Sequence, residues 1–475
     1  MKSRQREKKE ASPAAPPPAT VSLAQLHRSV RVPQNSAGFL RTYLAFVGPA
    51  VLVSVGYMDP GNWSTDLQGG AQFHYSLLWI VALSSFMAII LQVCAARLGV
   101  VTGRDLAQLC AERYPRFLRI ANWLGAEVAI AACDLAEALG SAVALSLLFH
   151  FPIFWSLLIT AFDVVLLLSL RGLGMRMIEA LIALLVATMG VCYFLEIFVL
   201  PAVRPDLLPM GQAIVAPQIG RMLVNKDMLV LAIAMIGATV MPHNLYLHSA
   251  LVQSRQFQAD DASIRRVIRY NTIDSAVSLA IAFLVNAAIL VLAAMVFFHR
   301  PGAHTVHGRW LPFNADTDWI RAAYLTLTPL LGAAAASLLF AIALLASGQS
   351  STITGTLAGQ VVMEGFMQWR IRPWVRRLIT RLAAVLPVLL IVGLHRGPTN
   401  INAMLNLSQV VLALQLPLAM IPLMVFTCSR KIMGPYVNGW FLRPVGWGCC
   451  VVITLLGIYS LPAAMQSAWA TILGH

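Results

Sequence analysis

The sequence predicts an all-α polytopic membrane protein, on the evidence of its composition, its long apolar runs and the placement of its basic residues. Of the 475 residues, 59% are hydrophobic and only 11% are charged, and the mean hydropathy is +0.74. A soluble domain carries about 25% charged residues. This composition excludes an ordinary soluble protein.

The apolar runs are long enough to cross a bilayer, which takes about 20 residues in a helix. They predict a membrane core over residues 41–427, followed by a loop and an additional C-terminal transmembrane helix over 428–475. Residues 1–40 form a basic tail rich in Ala and Pro, which we expect to be disordered. About eleven apolar runs are present, near 43–66, 75–96, 121–148, 152–170, 177–200, 228–252, 273–298, 328–350, 378–395, 403–427 and 444–470.

The net charge of +14 is distributed unevenly along the chain. If the N-terminus lies inside, 27 of the 34 Lys and Arg residues fall in the tail and in the loops that face the cytoplasm. This is the positive-inside bias, so we expect a cytoplasmic N-terminus and no nucleic-acid partner. The first span is not followed by a small-residue cleavage pattern, which argues against a signal peptide. A bacterial inner membrane is the expected location.

Cysteine usage and motif content argue against an enzyme. The seven cysteines form no CxxC pair, and none falls in a predicted outer loop, so we expect reduced thiols. The chain has no Gly-rich phosphate loop, no HExxH and no nucleophile elbow. We therefore expect no catalytic residues, no cofactor and no use of ATP.

The first and sixth predicted spans are each interrupted near the middle by a proline. Pro60 removes the helical hydrogen bond to the carbonyl of Gly56, and Pro242 does the same to the carbonyl of Ala238. A bare carbonyl is costly in hydrocarbon unless it finds a partner or lines a cavity. The sequence therefore predicts two broken helices whose carbonyls line a site.

Potential metal ligands stand beside both breaks. Asp59 and Asn62 flank the first proline, and Met241 precedes the second. Oxygens with one thioether sulfur suit a borderline transition metal better than Mg²⁺ or Ca²⁺, which prefer oxygen alone. Paired interrupted helices at equivalent positions of two repeats are the usual sequence indication of a binding site at the membrane midplane.

The two breaks carry recognisable motifs. Asp59-Pro60-Gly61-Asn62 and Met241-Pro242-His243-Asn244 resemble the signature motifs of the Nramp family of divalent metal ion transporters. The resemblance extends from about residue 48 to residue 422. Three further stretches are similar to that family, namely Asp134–Glu137, Ser347–Ser350 and Ser408–Val410.

This resemblance implies a leucine-transporter-like fold with two inverted five-helix repeats, at about 41–200 and 228–427. It also implies import of Mn²⁺ or Fe²⁺ with proton cotransport by alternating access. Gly56 stands where that family usually has alanine. The metal ligands implied by the resemblance are Asp59, Asn62, Met241, Gln409 and the carbonyls of Gly56 and Ala238.

The third span carries acids that are candidates for a proton pathway. At 100° per residue, Glu127, Asp134 and Glu137 share one broad helical face. Acidic residues inside a membrane often form proton relays, and His243 can hold a proton near neutral pH. In the family that the chain resembles, a histidine after the sixth-span proline and third-span acids are linked to proton movement.

The ninth span opens with Arg376 and Arg377, followed by Arg381, and any of them could pair with the third-span acids. A structural ion pair and a proton pathway are compatible interpretations of these residues. The sequence alone does not indicate which arginine pairs with which acid.

Two alternative functions remain open from the residues: a symporter of an organic solute or amino acid with the same fold, and a metal channel. Asp59 would repel a substrate carboxylate, and two broken helices suit alternating access better than an open pore. The expected partners are divalent metal ions, protons and the lipid bilayer. No oligomer is required, because one chain holds both repeats.

Overall fold

The structure is a computed structural model that describes residues 23, 26–32, 39–163, 175–199, 207–258, 260–314, 317–331, 335–369, 371–394 and 401–473. In these ranges the helices are α1 (Phe39–Phe46), α2 (Pro49–Gly56), α3 (Pro60–Phe73), α4 (Leu78–Thr102), α5 (Leu106–Arg113), α6 (Arg116–Phe149), α7 (Ile153–Thr160), α8 (Met175–Phe194), α9 (Leu207–Val215), α10 (Ile219–Val224), α11 (Lys226–Thr239), α12 (Pro242–Leu251), α13 (Asp261–Phe297), α14 (Trp319–Leu331), α15 (Ala336–Met367), α16 (Pro373–Leu394), α17 (Ile401–Thr427), α18 (Arg430–Met433) and α19 (Leu442–Leu473). The strands are β1 (Val30–Arg31), β2 (Arg255–Gln256), β3 (Gly302–His304) and β4 (Trp310–Pro312).

Both predicted helix breaks are present. The first span is divided into α2 and α3, and the sixth into α11 and α12. The second half of each pair begins with its proline, Pro60 or Pro242, at the first helical position. Proline is well tolerated there, because its missing N–H would have no intrahelical partner in any case. The proline thus ends one half-helix and begins the next.

The predicted number of eleven spans is not confirmed. Within the described ranges, eight helical stretches are long and apolar enough to cross a membrane. One of them, Pro60–Thr102, joins part of the first predicted span to the second, because a 3₁₀ turn at His74–Leu77 links α3 to α4 without a loop. The ninth predicted span corresponds to α16, and residues 164–170 of the fourth lie outside the described residues.

Glycines let the broken helices approach their neighbours closely. A Cβ on Gly237 of α11 would lie 2.1 Å from the carbonyl oxygen of Gln409 in α17. A Cβ on Gly70 of α3 would lie 2.1 Å from the carbonyl oxygen of Leu290 in α13. Small residues are the usual means of close helix packing in membranes, where dispersion replaces the hydrophobic effect. These contacts fix the half-helices against α13 and α17.

Part of the predicted tail packs against the membrane core. Val30 of β1 pairs in parallel register with Arg255 of β2, and the N–H of Leu23 donates to Glu364 Oε2 at 2.9 Å. Residues 26–32 therefore differ from the disordered tail that the composition predicts, because Val30 and Leu23 find apolar surface to bury. Most of residues 1–40 lie outside the described residues, and the division into domains stays a prediction.

Candidate metal centre

Asp59 is the N-cap residue of α3 and lies at the first break. Its Oδ1 accepts hydrogen bonds from the backbone N–H and from Nδ2 of Asn62, both at 2.9 Å. Its Oδ2 has no hydrogen-bond partner in the described ranges, and the residue is fully buried. One carboxylate oxygen thus holds the half-helix in shape while the other is free to bind a cation.

The second break lies directly beside the first. Nδ2 of Asn62 donates to the carbonyl oxygen of Ala238 at 3.1 Å, which connects the two broken helices. Met241 is the fully buried N-cap residue of α12 and makes no side-chain capping bond. Its Sδ would lie 3.3 Å from a Cβ built on Gly56, so the sulfur faces the end of α2. The predicted ligands of both breaks therefore meet at one point.

Two further side chains border this point. Gln409 of α17 lies against the first break, because a Cβ on Gly61 would come within 2.0 Å of its Nε2. Asn286 of α13 donates from Nδ2 to the carbonyl oxygen of Tyr57 at 2.7 Å and to Asn62 Oδ1 at 3.3 Å. The structure thus brings helices α13 and α17 to the half-helices at the breaks.

The donor set fits a divalent cation. Four buried side-chain oxygens at the breaks have no hydrogen-bond partner within the part of the chain that the structure describes: Asp59 Oδ2, Asn244 Oδ1, Asn286 Oδ1 and Gln409 Oε1. Unpartnered buried oxygens are costly unless something binds them. Across the described ranges, no group of three or more His, Cys, Asp or Glu side chains could hold a metal ion. The candidate centre therefore combines one carboxylate with amide oxygens and a thioether.

A buried network of acids and arginines lies between α6 and α16. Arg377 forms ion pairs with both Asp134 and Glu137, and its Nη2 is 2.8 Å from Glu137 Oε2. These three side chains are at most 1% exposed. Arg376 pairs separately with Glu127, with Nη2 2.8 Å from Oε2. The pairings that the sequence left open are therefore distinct for the two adjacent arginines.

Hydroxyl groups of α15 complete the surroundings of Glu137. Ser351 donates to Oε1 at 2.8 Å and Thr352 to Oε2 at 3.3 Å. Arg381 donates to the carbonyl oxygen of Asp134 at 2.6 Å and to Thr352 Oγ1 at 3.3 Å. Glu137 is close enough to Asp59 for their charges to interact. The network is thus electrostatically connected to the metal centre.

The histidine predicted to carry protons is buried and stands two residues after Met241. His243 is 2% exposed, its Nδ1 has no hydrogen-bond partner, and its ring lies within electrostatic range of Asp134. His248, further along α12, instead has Nδ1 2.9 Å from Gln92 Oε1. Of the two histidines, His243 is the one that faces the acid network.

Polar contacts join the helices at the end of the bundle that is predicted to face the cytoplasm. Asp274 of α13 accepts from the N–H groups of Gly48 and Ala50, at 3.4 and 3.1 Å, and so caps the start of α2. Arg255 pairs with Glu179 at 2.6 Å and also donates to the Val47 carbonyl at 2.7 Å. These contacts fasten α2 to α8 and α13.

A cavity of about 780 Å³ lies at the opposite end of the bundle. It is bordered by the end of α6, by α14 and by the first residue of α17, Ile401. His150, His307 and Asp318 contribute polar groups to its wall. Asp318 lies at the start of α14, outside the membrane-spanning segments, and burial raises the pKa of its carboxyl group above the usual value.

The family of the chain is decided by a match to one sequence profile. The profile of the family described as "Natural resistance-associated macrophage protein-like" (Nramp) matches residues 50–463. The chain belongs to the Nramp family. Similar Nramp sequences include the "Divalent metal cation transporter MntH" of a Nostoc species, which is 48% identical over 460 residues, covering 96% of this chain and 99% of the relative. A protein of the same name from Listeria innocua is 45% identical over 440 residues, covering 93% of this chain and 94% of the relative.

Solved structures agree with the Nramp assignment. The manganese transporter of Eremococcus coleocola, in complex with an aromatic bis-isothiourea substituted compound, has a TM-score of 0.83 and 36% identity, and the match covers 96% of this chain and 97% of that one. Mhp1, a nucleobase-cation-symport-1 family transporter, has a TM-score of 0.54 at 14% identity, covering 90% and 92% of the two chains. The second likeness concerns the fold alone. The leucine-transporter-like fold predicted from the Nramp resemblance is confirmed.

Sequence analysis did not assign a role to two polar residues at the Nramp centre. Asn286, a polar residue inside the seventh predicted span, is compatible from the sequence with either a hydrogen bond to a neighbouring helix or a place in the metal site, and Asn244 is only the last residue of a motif. Asp66, seven residues after Asp59 and therefore on the same face of α3, was not singled out. It is 2% exposed and its Oδ2 has no partner. The signal available in the sequence was its helical spacing from Asp59.

Proposed function

We propose that this protein imports a divalent transition metal ion, Mn²⁺ or Fe²⁺, by alternating access. The observation that carries the proposal is the meeting of two broken helices whose N-cap residues are Asp59 and Met241, joined by the bond from Asn62 to the Ala238 carbonyl. The names of the relatives, divalent metal cation transporter and manganese transporter, support the same substrate class. Membership of a transporter family supports transport rather than enzymatic catalysis.

Ligand chemistry favours a transition metal over the alkaline-earth ions. Ca²⁺ and Mg²⁺ prefer sites made of oxygen alone, whereas a thioether is a soft ligand. In our proposal the ligands are Asp59, Asn62, Met241 and the carbonyls of Gly56 and Ala238, with Gln409 joining when its helix approaches. Asp59 supplies the charge that attracts the ion, and Met241 discriminates between ions.

Replacement of Met241 by alanine is expected to weaken discrimination between Mn²⁺ and Ca²⁺ by roughly tenfold, because the thioether is lost as a ligand. A tenfold change corresponds to a difference of about 1.4 kcal/mol in binding free energy. The measurement is Mn²⁺ entry into proteoliposomes with Ca²⁺ as competitor. Met420→Ala is the matched control, because it removes an equally buried methionine from α17. If Ca²⁺ inhibits Mn²⁺ entry by Met241→Ala no more than it inhibits entry by the wild type, the sulfur is a packing group and the ligand assignment is wrong.

Burial of the centre supports alternating access. Asp59 and Asn62 are at most 1% exposed, so an ion held between them would be separated from water on both sides. We propose that the ion enters through the cavity beside α14 and leaves when α2 detaches from Asp274 and Glu179. This direction assumes a cytoplasmic N-terminus in a bacterial inner membrane, as the positive-inside bias predicts.

We propose that protons move with the metal through the acids of α6. Asp134 and Glu137 are bound to Arg377, and His243 stands two residues after Met241 and within electrostatic range of Asp134. A divalent ion that moves inward through 100 mV gains about 4.6 kcal/mol, from about 2.3 kcal/mol per charge. Voltage alone is therefore sufficient to drive import, and coupled protons set the rate or direction of transport.

Replacement of Asp134 by asparagine is expected to reduce the proton entry that accompanies Mn²⁺ to the background leak, while voltage-driven Mn²⁺ entry continues. Asparagine keeps the shape of the side chain but cannot take up a proton. The measurement pairs a pH dye and a metal dye inside the same liposomes. Glu364→Gln is the control, since Glu364 lies on α15 and bonds to Gln360 outside this network. Unchanged proton entry in Asp134→Asn would leave the network with a structural role only.

A further inference from the structure

The two breaks are built on the same local plan, with an asparagine at the same place in each. Asn62 stands three residues after the N-cap Asp59, and Asn244 stands three residues after the N-cap Met241. In both cases a proline directly follows the N-cap residue and is the first residue of the half-helix. Inverted repeats place equivalent residues on opposite sides of one central point. Asn244 is therefore the counterpart of Asn62 in the second repeat.

The side chain of each asparagine lies against the end of the half-helix that precedes the other break. Nδ2 of Asn62 donates to Ala238, which lies three residues before Met241. The amide of Asn244 lies against Gly56, which is three residues before Asp59: a Cβ built on Gly56 would be 2.2 Å from Asn244 Nδ2. A Cβ at position 56 would therefore require the amide of Asn244 to shift from the position it has in this structure.

The two asparagines differ in how their amide groups are satisfied. Asn62 bonds to Asp59, Ala238 and Asn286. Asn244 is fully buried, and among the described residues neither its Oδ1 nor its Nδ2 has a hydrogen-bond partner. A buried amide without partners is unfavourable by about 1–3 kcal/mol. The geometry thus presents an unused amide beside the sulfur of Met241, at the point where the ligands of both breaks meet.

We propose that Asn244 is a further ligand of the transported metal ion and binds it through Oδ1. The proposal rests on the proposed function, because it adds a ligand to the same centre. Asn244 adds a neutral hard oxygen from the second repeat, opposite the one that Asn62 supplies from the first. Gly56 is the residue that allows this approach, and a side chain there displaces the amide.

The test is Mn²⁺ binding to the purified full-length protein by calorimetry, with Mn²⁺ uptake as a second readout. Asn244→Ala is expected to bind Mn²⁺ roughly tenfold more weakly, which is the usual scale for loss of one contact to a charged group. Asn244→Asp is expected to bind both Mn²⁺ and Ca²⁺ more tightly than wild type, because a carboxylate replaces the neutral oxygen. Gly56→Ala is expected to weaken binding as much as Asn244→Ala does.

The double variant Gly56→Ala/Asn244→Ala tests the link between the two positions. If Gly56 acts only by making room for the amide, the double variant binds no more weakly than Asn244→Ala alone. If the double variant instead binds Mn²⁺ more weakly by the product of the two single losses in affinity, the two positions act independently and that link is wrong. Thermal unfolding of each variant identifies any that fails to fold, and Asn244→Asp, which keeps the shape of the side chain, then decides whether Oδ1 binds the ion.

Asn271→Ala is the matched control. Asn271 is a buried asparagine of α13 whose amide atoms also lack hydrogen-bond partners. It is 15 residues from Asn286 and thus about 22 Å away along the helix, so Mn²⁺ affinity should not change. Wild type that does not bind Mn²⁺ would contradict the proposed function itself. Wild type that binds Mn²⁺ while both Asn244 variants match it would contradict only this inference.

Discussion

Replacement of Asp59 by asparagine is expected to abolish Mn²⁺ binding and uptake while the fold is retained. Asparagine is also a good N-cap residue, so α3 keeps its first turn. The change removes the only negative charge among the proposed ligands. Two opposite unit charges 4 Å apart attract each other by about 4 kcal/mol near a protein surface, which corresponds to roughly three orders of magnitude in Kd. Calorimetric titration of Mn²⁺ and uptake into proteoliposomes measure the loss.

Asp105→Asn is the matched control for Asp59→Asn. Asp105 is also a fully buried N-cap aspartate, and it closes a capping box with Gln108 at the start of α5. Its replacement tests what loss of a buried capping carboxylate does outside the metal centre, and Mn²⁺ affinity should stay at the wild-type value. Substantial Mn²⁺ binding by Asp59→Asn, with normal thermal unfolding, would show that the charge of Asp59 is not needed and that the centre is assigned wrongly.

The helix breaks could be predicted from the sequence because their cause is local. A proline removes a hydrogen bond from its own helix whatever the rest of the chain does. The positions of Pro60 and Pro242 therefore determined where α3 and α12 begin. The shared face of Glu127, Asp134 and Glu137 was equally accessible, since it depends only on helical geometry.

Contacts between helices could not be predicted in the same way. Arg376 and Arg377 are adjacent and chemically identical, yet one pairs with Glu127 and the other with Asp134 and Glu137. The choice depends on how α16 is rotated and shifted against α6, which no short segment encodes. The approach of Gln409 to Gly61 likewise depends on the packing of α17 against the first break.

The same limitation explains why Asn244 was missed. Its position in the motif mirrors that of Asn62, but the sequence gives no sign that its amide lacks a partner. That fact appears only when α12 is placed against the end of α2, where Gly56 leaves space. The metal centre was therefore predictable as a set of residue types at two breaks. The contacts that other helices make with these residues could not be predicted.

Replacement of Arg377 by methionine is expected to lower the free energy of unfolding by roughly 3–5 kcal/mol, the usual result when one partner of a buried ion pair is removed. Asp134 and Glu137 would then lose the guanidinium group that pairs with both of them inside the bundle, where both are at most 1% exposed. Methionine keeps most of the volume of the arginine stem, so a cavity contributes little. Thermal unfolding in detergent, monitored by intrinsic fluorescence, measures the change.

Charge neutralisation distinguishes electrostatics from packing in this network. The triple variant Arg377→Met/Asp134→Asn/Glu137→Gln removes the charges of these three residues together and leaves Arg381 bonded to the carbonyl of residue 134, so most of the lost stability should return although proton coupling does not. Arg265→Met is the exposed control: its pair with Asp261 has the same 2.8 Å N–O separation as Arg377 with Glu137, but both side chains are more than 60% exposed. Solvent screens such a pair, so its removal should leave the unfolding temperature unchanged. A triple variant as unstable as Arg377→Met would mean that the guanidinium stabilises the bundle through its hydrogen-bond geometry rather than its charge.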